Sequence, residues 1–363
     1  MSDRPNLPLA GIVVLDFTAL LPGPLATLML AEAGAEVIKI EPPGGEMMRT
    51  HSPYVDGHSV AFAALNRGKT SLMLDLKAND DRERLAPLLA RADVLVEQFR
   101  PGVIDRLGLG YEHVRAFNPR IVYCSISGYG QTGPRAQQAG HDLNYIGATG
   151  LLALSPGPPD RPTLPPALIA DIGGGTYPAV LNILLGLRQR DASGQGCHID
   201  VAMSDAMFTF TWHALLSGFA GHGFPRPGQD HLVGGSPRYQ LYPTRDGAIV
   251  ACAALESKFW KAFTKSIGLD PRHINDADDP GATTEAVAAI IKRKTAEQWR
   301  PIFAAADCCV TVVASLEEAV RDPHFVERGL FDGELKVGET NLPALPVPVA
   351  PGFRLHAKRS RRA

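Results

Sequence analysis

The sequence predicts an α/β protein, with a Rossmann-like, parallel-sheet large domain joined to a smaller α+β domain. Three observations predict it. Between residues 11 and 127, short apolar, β-branched runs alternate with helical stretches, as a doubly wound sheet requires. Residues 219–237, FAGHGFPRPGQDHLVGGSP, interrupt that rhythm with Gly, Pro and polar residues. Beyond them a hairpin pattern, several helices and one more strand form a second set. The large domain is therefore expected at 1–218, with 333–363 returning to it. A linker at 219–237 leads to a small domain at 238–332.

The elements follow in order. GIVVLDF (11–17) is apolar and β-branched, a buried strand. Pro22, Gly23 and Pro24 end it, and PLATLMLAEAG (24–34) reads as a helix closed by Gly34. AEVIKIE (35–41) is the next strand, giving a β-α-β opening that suggests a parallel sheet with Rossmann-like winding. Its turn lacks G-x-G-x-x-G, which disfavours a dinucleotide site. EPPGGEMMRTHSP (41–53) is loop, and NRGKTSLMLDLK (66–77) is a basic turn feeding a strand. DDRERLAPLLARA (80–92) is an amphipathic helix, DVLVEQF (93–99) a buried strand, and RPGVIDRLGLGYEHVRAFNPR (100–120) short helical pieces rich in arginine. IVYCSIS (121–127) is a further strand. A long apolar helix over 174–190, a strand over 195–203 and a helix over 204–218 complete the first set. In the second, residues 238–253 form a hairpin turning at Asp246-Gly247. Three helices follow, and then the strand CCVTVV.

Composition excludes some functions. With 45% apolar and 20% charged residues and a net charge of -2, the chain has no bulk basic field for nucleic acid. The basic end KRSRRA is read as a solvated tail. Five cysteines form no C-x-x-C, so a reducing, cytoplasmic setting without a metal site is expected. No long uninterrupted apolar run suggests a membrane span. Gly128, Gly130 and Gly133 spell G-x-G-x-x-G after a strand, but Pro134 follows and no acid stands about twenty residues on. These glycines are expected to serve close backbone approach instead.

The stretch from Ser127 to Gly175 carries the chemistry. AGHDLNY brings His141 and Asp142, and ADIGGG brings Asp171 at the entry of a helix-like run, where it could be an N-cap. With NRGKTSLMLDLK, EQFRPGVIDRLGLG and CCVTVV in the same order, the chain resembles the α-methylacyl-CoA racemases of the family III CoA-transferase (CaiB/BaiF) superfamily. The resemblance covers nearly the whole chain. Its basic motifs are shared with the transferases, whereas AGHD marks the racemase branch. The aspartate at the place of Asp171 serves both branches, as an acid/base or as a nucleophile.

That resemblance implies inversion of the α-carbon of a 2-methylacyl-CoA by two-base 1,1-proton transfer, with the CoA thioester as substrate and no required cofactor. Such a reaction needs two acid/base groups flanking the carbon, one protonated and one not. An imidazole suits one task, having an ordinary pKa of about 6.5. A carboxyl suits the other if burial raises its pKa. The implied pair is His141 and Asp171, with Glu256 steadying the imidazole and Asp142 near the thioester. The implied CoA contacts are Leu74, Asp75, Leu76 and Lys77, then Gln98, Phe99, Arg100 and Arg106, and finally Gly140, Leu143, Asn144 and Tyr145. Pro42 stands where racemases often place an arginine, so Arg49 is the candidate replacement for a phosphate contact. The family also implies an interlocked homodimer in which Glu256 completes the site of the partner. The alternative is CoA transfer, with Asp171 attacking the thioester.

Overall fold

The computed structural model describes residues 7–155 and 163–355. The basic end read as a solvated tail lies outside them. Internal contacts divide the chain into two units: residues up to 149, 165–210 and from 324 form one, and residues 150–164 and 211–323 the other.

The first unit is built on six parallel strands: β1 (Val13–Phe17), β2 (Glu36–Glu41), β3 (Thr70–Met73), β4 (Val94–Glu97), β5 (Val122–Ser127) and β6 (Cys197–Ala202). They lie in the order β3-β2-β1-β4-β5-β6. β1, β4 and β5 are buried from end to end, which explains why they read as predominantly apolar runs. Strand order reverses at β1, so the loops after β1 and β4 diverge and leave a crevice at the carboxyl ends of the strands. Across it the Gly23 N–H donates to Gln98 Oε1 at 3.1 Å.

One face of the sheet packs on helix Asn79–Arg91 through Leu15, Leu95, Tyr123, Leu85 and Leu89. Helix α1 (Pro22–Glu32), with Pro at its start, buries ten of its residues. A hairpin of the C-terminal segment, Glu334–Val337 with Thr340–Pro343, packs Leu335 and Val337 against Val55, Val60 and Ala63. The second unit has three antiparallel strands, Tyr239–Pro243, Ile249–Ala253 and Val310–Val312, with Ile249–Ala253 central. Its core holds Trp260, Phe263, Trp299 and Phe303 from two helices. Among the described residues, no helix is long and apolar enough to cross a membrane.

One local expectation is corrected, and one element is added. Residues 204–218 form two helices, Met207–Phe210 and Trp212–Phe219, separated at Thr211 where the chain passes between units. Residues 142–148, which gave no helical signal, form helix α2 (Asp142–Ala148). Seven residues are too few to show a period. Its start is set by His141, whose N–H donates to Asn144 Oδ1 at 3.0 Å.

Candidate active site

The loop after β5 and helix α2 bring His141 and Asp142 to the carboxyl end of the sheet. His141 precedes the first turn and is exposed. Asp142 is buried, and its Oδ1 accepts from the N–H groups of Ala170 and Asp171 at 2.7 and 3.0 Å. These two bonds span 28 and 29 residues and fix the backbone of Asp171 to α2. Asp142 is thus a structural anchor, and it places a second carboxylate beside Asp171.

Asp171 is not an N-cap. It lies inside a π-helix, Ala170–Thr176, which runs into α3 (Tyr177–Ser193). Such widened turns recur at functional sites. The glycines of ADIGGG explain how this one fits. A Cβ on Gly174 would collide with the Met203 carbonyl oxygen, and one on Gly173 would come within 2.6 Å of the Phe210 ring. Thr176 Oγ1 donates to the Pro22 carbonyl at 2.8 Å, locking the segment to the start of α1.

Burial pushes the Asp171 carboxyl up to about 6; Asp142 adds to the rise and His141 opposes it. Between the unfolded value near 3.8 and the folded value near 6, the native state holds more protons than the unfolded chain. Stability contributed by this group is fully present below pH 4 and is lost as pH rises through 6. Asp171→Asn is expected to be more stable than wild type in urea melts at pH 7.5, with the gap closing by pH 4. A constant gap across that range would contradict the burial argument.

Tyr145 is buried on α2. Its ring lies against Gly128 and Gly140, where a Cβ on Gly140 would sit 2.7 Å from the ring. The glycine-rich loop after β5 therefore serves close packing against α2. Burial, with Asp171, raises the Tyr145 hydroxyl to about 12, so it stays protonated.

The expected CoA residues sit on the loops after β3, β4 and β5. Lys77, Arg100 and Arg106 are exposed and have no salt-bridge partner among the described residues. Leu143 and Asn144 are exposed on α2. Gln98 bridges to α1, Phe99 and Leu76 pack partly against the core, and Gln137 Nε2 ties the loop before Gly140 to the Pro101 carbonyl at 3.1 Å. Leu74 is 1% exposed inside the core and has no side-chain face for a ligand. Asp75 is half-buried, its Oδ1 accepting from the Lys77 N–H at 3.0 Å. Arg49 is committed elsewhere. It pairs in a fork with the buried Glu41 at 2.6 and 2.7 Å and stacks 3.8 Å above the Phe62 ring.

Glu256 belongs to the second unit. It is exposed at the N-terminus of helix Ser257–Ile267 and makes no side-chain cap bond there. His213 is half-exposed, and its Nδ1 lies 2.9 Å from the buried Asp230. A carboxyl, a hydroxyl and an imidazole from neighbouring strands, those of Glu97, Ser125 and His198, also come together beneath the loop after β4. Sequence reading missed them because register alone brings them together.

Residues 9–358 match the model of CoA-transferase family III. The chain is 37% identical over 335 residues to alpha-methylacyl-CoA racemase of Mus musculus, covering 90% of this chain and 83% of that protein. It is 34% identical over 358 residues to acetyl-CoA:oxalate CoA-transferase of Acetobacter aceti, covering 96% and 90%. The crystal structure of a CAIB/BAIF family protein from Brucella suis superposes with a TM-score of 0.82 at 30% identity, covering 98% of this chain and 95% of that one.

Proposed function

This chain belongs to CoA-transferase family III, and from that premise we propose that it inverts the α-carbon of 2-methylacyl-CoA thioesters by two-base proton transfer. One observation carries the reading: a buried carboxyl, Asp171, raised to about 6 and under the influence of His141. A general acid or base works best when its pKa lies near the working pH. One of the two groups removes the α-proton, the pair of electrons moves onto the thioester oxygen as an enolate, and the other group returns a proton to the opposite face. The roles exchange for the other enantiomer. Lys77, Arg100 and Arg106 are the cations offered to the CoA phosphates, and Glu256 is assigned to favour the imidazolium.

A second reading has support in the 34% identity to a CoA-transferase. There Asp171 attacks the thioester carbonyl, CoA leaves as thiolate, and a mixed anhydride forms. A nucleophilic carboxylate gains from full ionisation, which the raised pKa of Asp171 opposes. One enantiomer of a 2-methylacyl-CoA, incubated without any carboxylic acid acceptor, separates the two. Loss of optical purity is expected. Turnover that begins only when an acceptor acid is added, with CoA moving to that acid, would establish transfer instead.

Asp142 offers a finer test. Asp142→Asn keeps an oxygen to accept the two N–H bonds but removes the neighbouring charge. The limb of the kcat profile that reports Asp171 is expected to move to lower pH, because the charge of Asp142 raises that carboxyl. An upward move would contradict the assignment.

A homodimer is part of the proposal. Tyr177, Leu181, Leu184 and Leu185 are 42–58% exposed along one side of α3, an apolar stripe that a second copy would cover. Sedimentation of an active monomer would remove this part.

A further inference from the structure

We infer that Glu97 is a positioning residue for the CoA thioester: its carboxyl anchors the base of the Gln98–Arg100 loop, and Ser125 and His198 carry its proton to the surface. The inference rests on the CoA-thioester reading and extends it to the control of binding.

Glu97 is the last residue of β4 and 2% exposed, at the point where strand order reverses. Its Oε2 accepts from the Phe99 N–H at 2.8 Å, so the carboxyl folds the loop back on its own strand. In the parallel register Glu97 stands beside Ser125, whose hydroxyl acts on its carboxyl. Ser125 Oγ lies 3.0 Å from His198 Nε2 on the edge strand. The His198 ring stacks on Tyr111 at 5.0 Å between centroids and meets the Tyr123 ring edge-on at 5.4 Å. His198 itself is exposed. A chain of three polar side chains thus connects a buried acid to water.

The charged groups facing Glu97 are acids: Asp105 from helix Val103–Arg106 and Asp200 from β6. Tyr123 and Cys124 on β5 also feel its charge, and Glu112 acts on His198. Burial, with Asp105 and Asp200, pushes Glu97 up to about 7 against the bonds from Ser125 and the Phe99 N–H. Protonated, the carboxyl satisfies every partner without charge. It donates O–H to Ser125 Oγ, Ser125 donates to His198 Nε2, and the remaining oxygen accepts from Phe99. Ionised, it is a buried charge between two other carboxylates, a state relieved by moving towards water and releasing Phe99. The loop that follows then loses its anchor.

Calorimetric titration of free CoA into wild type, E97Q and E97A between pH 6.5 and 8.5 tests this. If binding needs the protonated acid, wild-type affinity falls by about 20-fold over that range. Glutamine is neutral and can make the same two bonds, so E97Q is expected to give a flat profile relative to wild type. E97A is expected to bind weakly throughout. Ionisation of CoA's own phosphate is common to all three proteins and cancels in the comparison. Hydrogen exchange of the Phe99 amide, read without ligand, must follow: protection lost at pH 8.5 in wild type and kept in E97Q. Parallel profiles for wild type and E97Q in both measurements would overturn the inference. If wild type binds no CoA at any pH, the CoA reading falls, and the exchange comparison alone decides whether Glu97 holds the loop.

Discussion

His141→Ala is expected to lose inversion by at least ~100-fold in kcat, the lower end of what general acid/base groups contribute. The loss should appear without loss of fold. The imidazole is exposed, and the helix start depends on the His141 backbone, whose N–H donates to Asn144. Stability should therefore stay within about 0.5 kcal/mol of wild type, as for surface positions outside special features. KM should change little, because the two-base reading assigns the imidazole to the α-carbon and not to the CoA moiety. Asp171→Asn should lose inversion to a similar degree while gaining stability at neutral pH. Each variant retains one base, so exchange of the α-proton of one enantiomer can survive where inversion does not. Racemisation at the wild-type rate by His141→Ala would end the two-base assignment.

Gly174→Ala is expected to damage both stability and activity. The added methyl would collide with a backbone carbonyl, that of Met203, and Met207 Cε lies 3.1 Å away on another side. No side-chain rotation relieves a clash with a carbonyl, so the π-helix or the turn after β6 must shift. Overpacking of this kind costs about 1–3 kcal/mol or more. The shift would be felt three residues earlier at Asp171, whose backbone is held by Asp142. Gly147→Ala is the matched comparison: the position lies in α2, and an added Cβ would meet nothing within 4 Å. It should be neutral in stability or gain up to about 1 kcal/mol from helix propensity. Equal stability losses for the two substitutions, in urea melts, would show that close packing at ADIGGG is not what requires glycine.

Much of the sheet was legible because its strands are buried on both faces. VVLDF and VLVE have no polar alternation to blur them, and the helices between the strands leave a parallel sheet as the natural arrangement. The helical pieces around the site were less legible. The π-helix has no period that distinguishes it from an α-helix, and only its three glycines hint that something must approach closely. His141, Asp142 and Asp171 stood out by motif, yet the task of Asp142 did not. Its carboxylate holds two N–H groups 28 and 29 residues away, and no local pattern encodes such a bond. Leu74 and Arg49 show the same limit. Leu74 turns into the core, and Arg49 is neutralised by Glu41 eight residues before it. Glu97, Ser125 and His198 come from three strands and meet only through register.

The central claim is that two bases act on opposite faces of one carbon. Incubating a single enantiomer of a 2-methylacyl-CoA with the wild-type enzyme in D₂O, then separating the product enantiomers and weighing each by mass spectrometry, tests it most directly. The inverted product is expected to carry one α-deuterium per molecule from the first turnover, since the returning proton comes from a group in exchange with solvent. An inverted product that keeps its original α-hydrogen, or no inversion together with an acyl adduct on Asp171, would contradict it.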